Sequence, residues 1–288
     1  MKKQLLAAAL CCAVLTGCGA APAKTPTGSA ESTQTEETVV DKISNDFTLG
    51  CSAALKLPAG LARAAACGET YEESARQVLT MQTSDDAWNA LLAGDLDAAI
   101  GYAPSAEQEQ RLKEQGITLH KIGTDALVIL AGGTDEPIAL TKSEVLQAFE
   151  LQSDTWKGYA AAKNADSRKL FASIFGQDCA GVTVQQGEDT LTAACPHTQG
   201  TLCYTTYGTL MQNGQPEQTT VVTVDGKLPS DADYTLTQDV YAAVRADADA
   251  NDPETVFINW LATDKASAWL HEAVAGTLTE ETEVSEAS

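Results

Sequence analysis

Three short loops place serine hydroxyls directly ahead of predicted helices. These loops are Gly50–Ala53, Thr83–Asp85 and Asp166–Arg168. The free main-chain N–H groups and the positive dipole end of a helix start attract an oxyanion, and a serine hydroxyl adds one adjustable donor. Ser52, Ser84 and Ser167 are therefore candidate anion ligands. The alternative is that these polar residues only cap their own helices.

The elements around these loops alternate between short apolar strands and helical patterns from Phe47 onward, which is typical of an α/β fold with crossover helices. The pattern predicts separate strands at Thr118–Ile122 and Ala126–Ala131. It also predicts two amphipathic helices within Asp252–His271, followed by a frayed acidic tail after Gly276.

Charge and motif content exclude several classes of function. Lys and Arg number 18 against 40 Asp and Glu, which gives a formal net charge of −22, so nucleic-acid binding is not expected. No Gly-x-Ser-x-Gly, His-Glu-x-x-His or phosphate-loop pattern occurs, and the chain has 3 histidines. We therefore expect no catalytic residues, no metal and no cofactor.

The first residues have the pattern of a lipoprotein signal. A basic start is followed by the apolar stretch Gln4–Val14, and Leu15-Thr16-Gly17-Cys18 resembles the lipobox of bacterial lipoproteins. This resemblance implies a signal peptide at 1–17, lipidation of Cys18 and a polar tether over 18–44. The protein is then expected on the extracytoplasmic face of the cell membrane. An ordinary signal peptide is the alternative.

Five of the cysteines lie beyond the signal and Cys18; they are Cys51, Cys67, Cys179, Cys195 and Cys203. Cys51 and Cys67 stand at opposite ends of a predicted helix of about ten residues, hence ~15 Å apart, so they are not expected to pair. One bridge among the other three is expected outside the cytoplasm, with the pair left open. Together with His197 these three are also a possible zinc set by residue type, although their spacing matches no structural zinc pattern.

Several segments in order resemble the substrate-binding lipoproteins of phosphate-type ABC transporters, a group within the type II periplasmic binding proteins. The segments that carry the resemblance are Gly50-Cys51-Ser52-Ala53, Thr83–Asp97, Asp125–Ala131, Leu140–Phe149, Asp154–Trp156, Ser167–Phe171 and Gly200–Tyr204. The resemblance covers about Phe47 to Gly276.

The resemblance implies an α/β, two-lobed type II periplasmic-binding-protein fold with two interlobe crossovers. Lobe one is expected at 45–130 plus 229–278, lobe two at 131–228, and an acidic tail at 279–288. It also implies that a small-molecule or inorganic anion binds between the lobes and is delivered to an ABC transporter permease. The loops that carry the three serines, with Thr83 and Arg168 beside them, are expected to face this cleft.

The sequence departs from the family pattern at the residues that hold phosphate. Tyr102 stands where the family has an acidic residue, and Lys163 is near the expected arginine. The last loop lacks glycine and contains Asp166, which would repel a dianion. Tyr102 either stacks on an organic ligand or fills the vacated space, and Arg168 is either a compensating cation or a solvated side chain. We therefore expect an oxyanion or an anionic organic molecule, with phosphate weak; the alternative is a noncatalytic surface protein that has lost small-solute binding.

Overall fold

The computed structural model describes residues 42–180, 182–183 and 198–285, with side chains as far as 274. The signal, Cys18 and most of the tether lie outside these ranges. The strands within them are β1 (Leu49–Ser52), β2 (Leu79–Met81), β3 (Ala98–Tyr102), β4 (His120–Gly132), β5 (Ala139–Leu140), β6 (Lys157–Ala160), β7 (Val182–Thr183), β8 (Thr201–Thr206), β9 (Thr219–Val221), β10 (Thr223–Val224) and β11 (Thr237–Val244).

The helices lie between these strands and after the last of them. They are α1 (Lys56–Cys67), α2 (Tyr71–Gln77), α3 (Ser84–Ala93), α4 (Ala106–Glu114), α5 (Lys142–Phe149), α6 (Asp166–Phe175), α7 (Tyr207–Asn213), α8 (Pro253–Leu261) and α9 (Asp264–Ser285). No helix within the described ranges combines the length and the apolar composition that a membrane span requires. The described residues belong to one compact unit, Val40–Ser288.

The main sheet has the strand order β2-β1-β3-β11-β4-β8-β6-β7, and β9 also pairs with β4. Up to Ala126, β4 pairs antiparallel with β11, and from Leu127 it pairs antiparallel with β8. We call the strands on the β11 side the first half and those on the β8 side the second half. The chain passes into the second half within β4 and returns to the first before β11, so α3 belongs to the first half and α6 to the second.

The continuity of β4 corrects the prediction of two strands, because residues 120–132 form one strand. The polar residues Gly123, Thr124 and Asp125 interrupt the apolar pattern without ending the strand, since they pair with β11 there. The final helix also differs from expectation. It runs through Gly276 to Ser285, in a segment that has no proline and is rich in glutamate, a good helix former.

A buried tryptophan fixes the start of α3 against β3. Trp88 has no exposed surface, and its indole Nε1 donates to the carbonyl of Tyr102 at 2.9 Å. Gly101 makes this approach possible, because a Cβ at that position would lie 2.9 Å from the indole ring. The first turn of α3 is therefore held next to the carboxyl end of β3.

The second half has its own aromatic core next to α6. The ring of Phe171 packs at 5.0 Å from that of Phe149 and at 5.2 Å from that of Tyr204. All three side chains are fully buried. Since Phe171 is part of α6, this packing sets the position of the α6 start, which contains Asp166, Ser167 and Arg168.

Candidate functional site

Thr83 is the N-cap of α3, and its hydroxyl is used by the helix itself. This oxygen accepts from the main-chain N–H of Asp86 at 3.2 Å, while the Asp86 carboxylate accepts from the main-chain N–H of Thr83 at 3.1 Å. The two bonds form a capping box, so Thr83 shapes the start of α3.

Ser84 holds the carboxylate of Asp166, which comes from the opposite half of the sheet. The main-chain N–H of Ser84 donates to Asp166 Oδ2 at 2.9 Å and to Oδ1 at 3.0 Å, and its hydroxyl donates to Oδ2 at 2.7 Å. The same hydroxyl accepts from the main-chain N–H of Tyr102 at 3.0 Å, which fixes its orientation. The candidate anion position at the start of α3 is thus filled by a side chain of this chain.

Asp166 is buried, with 2% of its surface exposed. Burial raises the pKa of its carboxyl, while the hydrogen bonds from Ser84, the nearby hydroxyl of Ser52 and the charge of Lys169 act to lower it. Ser52 is itself fully buried at the end of β1, and its hydroxyl faces Asp166 without completing a hydrogen bond of normal geometry. Ser167, in the first turn of α6, is also buried.

Two further contacts from α6 reach the first half. Lys169 Nζ lies 2.5 Å from Asp85 Oδ2, and the hydroxyl of Ser173 donates to Gln238 Oε1 at 2.9 Å. Beside these contacts is a cleft cavity of about 120 Å³, which is small compared with the ~300–1,000 Å³ of typical ligand pockets. Sequence reasoning missed Lys169, Asp85 and Gln238, because their contacts depend on how the two halves meet.

Arg168 serves the interior of the second half. Its guanidinium binds the Asp178 carboxylate through two nitrogens, at 2.6 and 2.9 Å, and donates to the carbonyls of Ala161 at 3.0 Å and Cys179 at 2.9 Å. The side chain is 5% exposed. It is therefore neither a solvated side chain nor one of the residues that line the cleft cavity.

Tyr102 lines the cleft cavity and binds Asp125, a residue that lines a second, larger cavity. Its hydroxyl donates to Asp125 Oδ2 at 2.7 Å, and it is almost completely buried, so it fills the space at the end of β3. Asp125 lines a cavity of about 440 Å³ with residues of α1, β4, α7 and α9. Burial raises the pKa of Asp125 to about 6, although the N–H groups of Ala126 and Gly208 donate to it. Sequence reasoning did not single out Asp125, although a carboxylate at the start of the apolar segment Asp125–Ala131 is a signal that could have found it.

Among the described residues, no cysteine lines either cavity. Cys51, Cys67 and Cys179 carry free thiols, and α1 separates the first two. Cys203 is disulfide-bonded, while Cys195 and His197 lie outside the described residues. Burial raises the pKa of Cys51 to about 12, which keeps this thiol protonated and unreactive.

The fold defines the class of protein. Two α/β halves share one sheet, the chain crosses between them twice, and helix starts from both halves meet in the cleft. This is the two-lobed type II periplasmic-binding-protein fold. The chain matches the model of the PBP superfamily domain over residues 32–265 and belongs to that family. None of the curated protein sequences matches the chain.

Solved structures with the same fold have different roles. A candidate phosphate ABC transporter substrate-binding protein with bound phosphate, from Clostridium perfringens, is 13% identical with a TM-score of 0.57, over 77% of this chain and 97% of its own. An ABC-type phosphate transport receptor from Vibrio cholerae is 15% identical with a TM-score of 0.56, over 80% and 98%. The reduced regulatory domain of OxyR2 from Vibrio vulnificus is 14% identical with a TM-score of 0.51, over 80% and 97%. At these low sequence identities, the similarity shows a shared fold alone.

Proposed function

We propose that this protein is an extracytoplasmic solute-binding lipoprotein that captures a small anionic ligand between its two halves for an ABC importer. The proposal rests on one observation, which is that the Asp166 carboxylate is bound at the start of α3. There the main-chain N–H and the hydroxyl of Ser84 hold both oxygens of Asp166. Donors in this arrangement recognise an oxyanion.

The surroundings favour an organic carboxylate over phosphate. Asp85 and Asp166 place negative charge at the cleft, and Lys169 is the basic side chain among the cavity-lining residues. A dianion meets more repulsion there than a monoanion does. The site also holds a carboxylate already, so its geometry suits that group. A neutral sugar that displaced Asp166 would leave the buried donors of Ser84 without a charged acceptor.

Similarity to the transport proteins supports the partner and the location. The Vibrio cholerae structure is described as a transport receptor of the ABC type. We infer that this chain likewise delivers its ligand to an ABC permease outside the cytoplasm, without converting it. Closure of two lobes around a ligand is the conformational change that such a permease reads.

A panel of ligands tests the binding proposal by thermal shift. A ligand at a hundred times its dissociation constant stabilises the folded state by about 2.7 kcal/mol, which raises Tm by several degrees. We expect organic carboxylates to raise Tm more than phosphate, and sugars to leave it unchanged. In an Asp166→Ala background, where the ligand does not compete with this carboxylate, Ser84→Ala removes one hydroxyl donor and should weaken binding about tenfold. Thr141→Ala, which removes the cap of α5, is the matched control and should leave the affinity unchanged.

The lipid anchor is a separate part of the proposal, supported by the lipobox-like sequence that ends at Cys18. We expect Cys18→Ala to move the protein out of the membrane fraction, because the cysteine that would carry the lipid is gone. The measurement is cell fractionation followed by immunoblotting. Replacing both Cys11 and Cys12 with Ala is the control, and this variant should stay with the membranes. A Cys18→Ala protein that still fractionates wholly with membranes contradicts the anchor.

One observation favours the second candidate, a noncatalytic surface protein that has lost small-solute binding. Asp166 already uses the donors of Ser84, and the remaining cleft cavity is small. If formate, acetate, amino acids, sulfate, phosphate and sugars all leave Tm and tryptophan emission unchanged, the solute-binding proposal fails. The second candidate then takes its place.

A further inference from the structure

The Asp166 carboxylate occupies the position that a bound anion would take at the start of α3. It is 2% exposed and accepts three hydrogen bonds from Ser84, which is 82 residues away in the chain. Ser84 is the first residue of α3, and this helix has 10 residues. The contact therefore joins a helix start in the first half to an acidic side chain of the second half.

Ser52 gives an independent indication that the site is built for an anion. Its hydroxyl is fully buried at the end of β1 and completes no hydrogen bond of normal geometry. It faces the Asp166 carboxylate closely enough to lower the pKa of that group. A buried donor that is only partly used carries a free-energy cost, and a better-placed acceptor would remove this cost. The site thus offers more donor capacity than Asp166 uses.

We propose that Asp166 is a built-in ligand, which occupies the anion site between Ser52 and Ser84 in place of a free anion and holds the two halves closed. This inference deepens the proposed function, because it concerns the same site. A free anion and the Asp166 carboxylate cannot share these donors, since two carboxylates at one site repel each other. Any anion that enters must displace Asp166. The site therefore selects carboxylate-sized anions that bind more strongly than an attached competitor.

The contacts near Asp166 show how it holds the halves together. Lys169 and Ser173 follow it by about one and two turns of α6, and they reach Asp85 and Gln238 of the first half. Asp166 is the buried member of this set, while Lys169 and Asp85 are partly exposed. Solvent screens an exposed ion pair, so the buried contact makes the larger contribution to closure.

Removing the built-in carboxylate should open the site to free anions. In Asp166→Ala, we expect formate and acetate to raise Tm and to bind at least about tenfold more tightly than they bind the wild type. Sulfate and phosphate serve as larger probes. Asp166→Ser is the second variant, because serine is well tolerated at a helix start. Asp85→Ala removes one negative charge from the same cleft but leaves the Ser84 donors occupied by Asp166, so any gain from the lost charge should stay well below tenfold.

Isothermal titration and tryptophan fluorescence measure the same gain in affinity, and Asp166→Ala combined with Ser84→Ala should abolish it. Folded Asp166→Ala and Asp166→Ser proteins that bind none of the four anions more tightly overturn the proposal. An equal gain in Asp85→Ala also overturns it, since the effect would then be general charge. If both variants unfold in plain buffer, formate should restore folding, and failure to do so contradicts the proposal. If the Asp166 variants bind anions more tightly but the wild type binds no ligand, this inference is supported and the proposed function fails. If the wild type binds a ligand but the Asp166 variants bind no anion more tightly, the proposed function is supported and this inference fails.

Discussion

Arg168→Met should lower the free energy of unfolding by about 3 kcal/mol, because it removes a buried guanidinium from several acceptors. The carbonyls of Ala161 and Cys179 would lose a charged donor inside the second half. The Asp178 carboxylate would lose less stabilisation, since its side chain is 54% exposed and water can replace the arginine. Urea titration followed by circular dichroism measures the change.

Lys163→Met is the matched control, because it removes the same charge from an exposed position five residues earlier. We expect this variant to stay within about 0.5 kcal/mol of the wild type. If Arg168 instead bound the ligand, Arg168→Met would keep normal stability and lose affinity for the ligand. A folded Arg168→Met protein of unchanged stability that no longer binds the ligand would show that the structural interpretation is wrong.

Asp125→Asn should make stability less dependent on pH. Burial raises the pKa of Asp125 to about 6 in the folded state, above the ~3.9 of an unfolded aspartate. The folded protein therefore binds more protons than the unfolded chain between these values, and stability falls as pH rises through this window. Between pH 4.5 and 7.5, the titration of Asp125 should lower the wild-type free energy of unfolding by about 2 kcal/mol. The change is about 1.4 kcal/mol for each pH unit between the unfolded and folded pKa values.

The comparison uses the difference in unfolding free energy between wild type and Asp125→Asn, measured in urea at both pH values. Other groups, including Asp166, titrate in both proteins and cancel from this difference. Asp125 faces the hydroxyl of Tyr102, and His271, Asp264 and Glu272 line the same cavity, so these groups are present in both proteins as well. Asp135→Asn, at an exposed site, is the control. A difference that does not change with pH contradicts a raised pKa for Asp125.

The helices that position the site could be predicted because their signals are local. Thr83 and Thr141 cap α3 and α5 with capping boxes, and Gly94 and Gly176 end α3 and α6 in the left-handed conformation. Each of these signals depends on residues within one or two helical turns. The type II fold and the family were also indicated by the order of the short motifs, and the family match confirmed them.

Sequence reasoning missed strands that depend on long-range pairing, and it also missed one short helix. β11 has strand partners in β3 and β4, more than a hundred residues earlier in the chain. α2 was missed because it is short and mostly polar, with Ser74 as its buried residue. The polar stretch in the middle of β4 looked like a break in the apolar pattern, although its main-chain groups pair with β11.

The site was predicted in part. Ser84 was chosen as an anion donor, and in the structure its hydroxyl and N–H hold the carboxylate of Asp166. Asp166 was recognised as repulsive to a dianion, but its place as the partner of Ser84 depends on how α6 packs on the first half. Whether Ser52, Ser84 and Ser167 bind a free solute stays a prediction, and the Asp166 variants address it directly.

The unbroken course of β4 has a mechanical consequence for the cleft. Its hydrogen-bond ladder continues from β11 to β8 at Ala126 and Leu127, and the N–H of Leu127 also donates to the Leu236 carbonyl at 2.8 Å. To separate, the two halves must therefore bend a paired strand, because no unpaired linker joins them at this point. Bending would distort the hydrogen bonds of β4 with its partner strands, so the paired arrangement opposes separation of the halves. If the protein binds a solute as proposed, the cost of bending β4 and of breaking the Ser84–Asp166 contact would limit how quickly that solute exchanges.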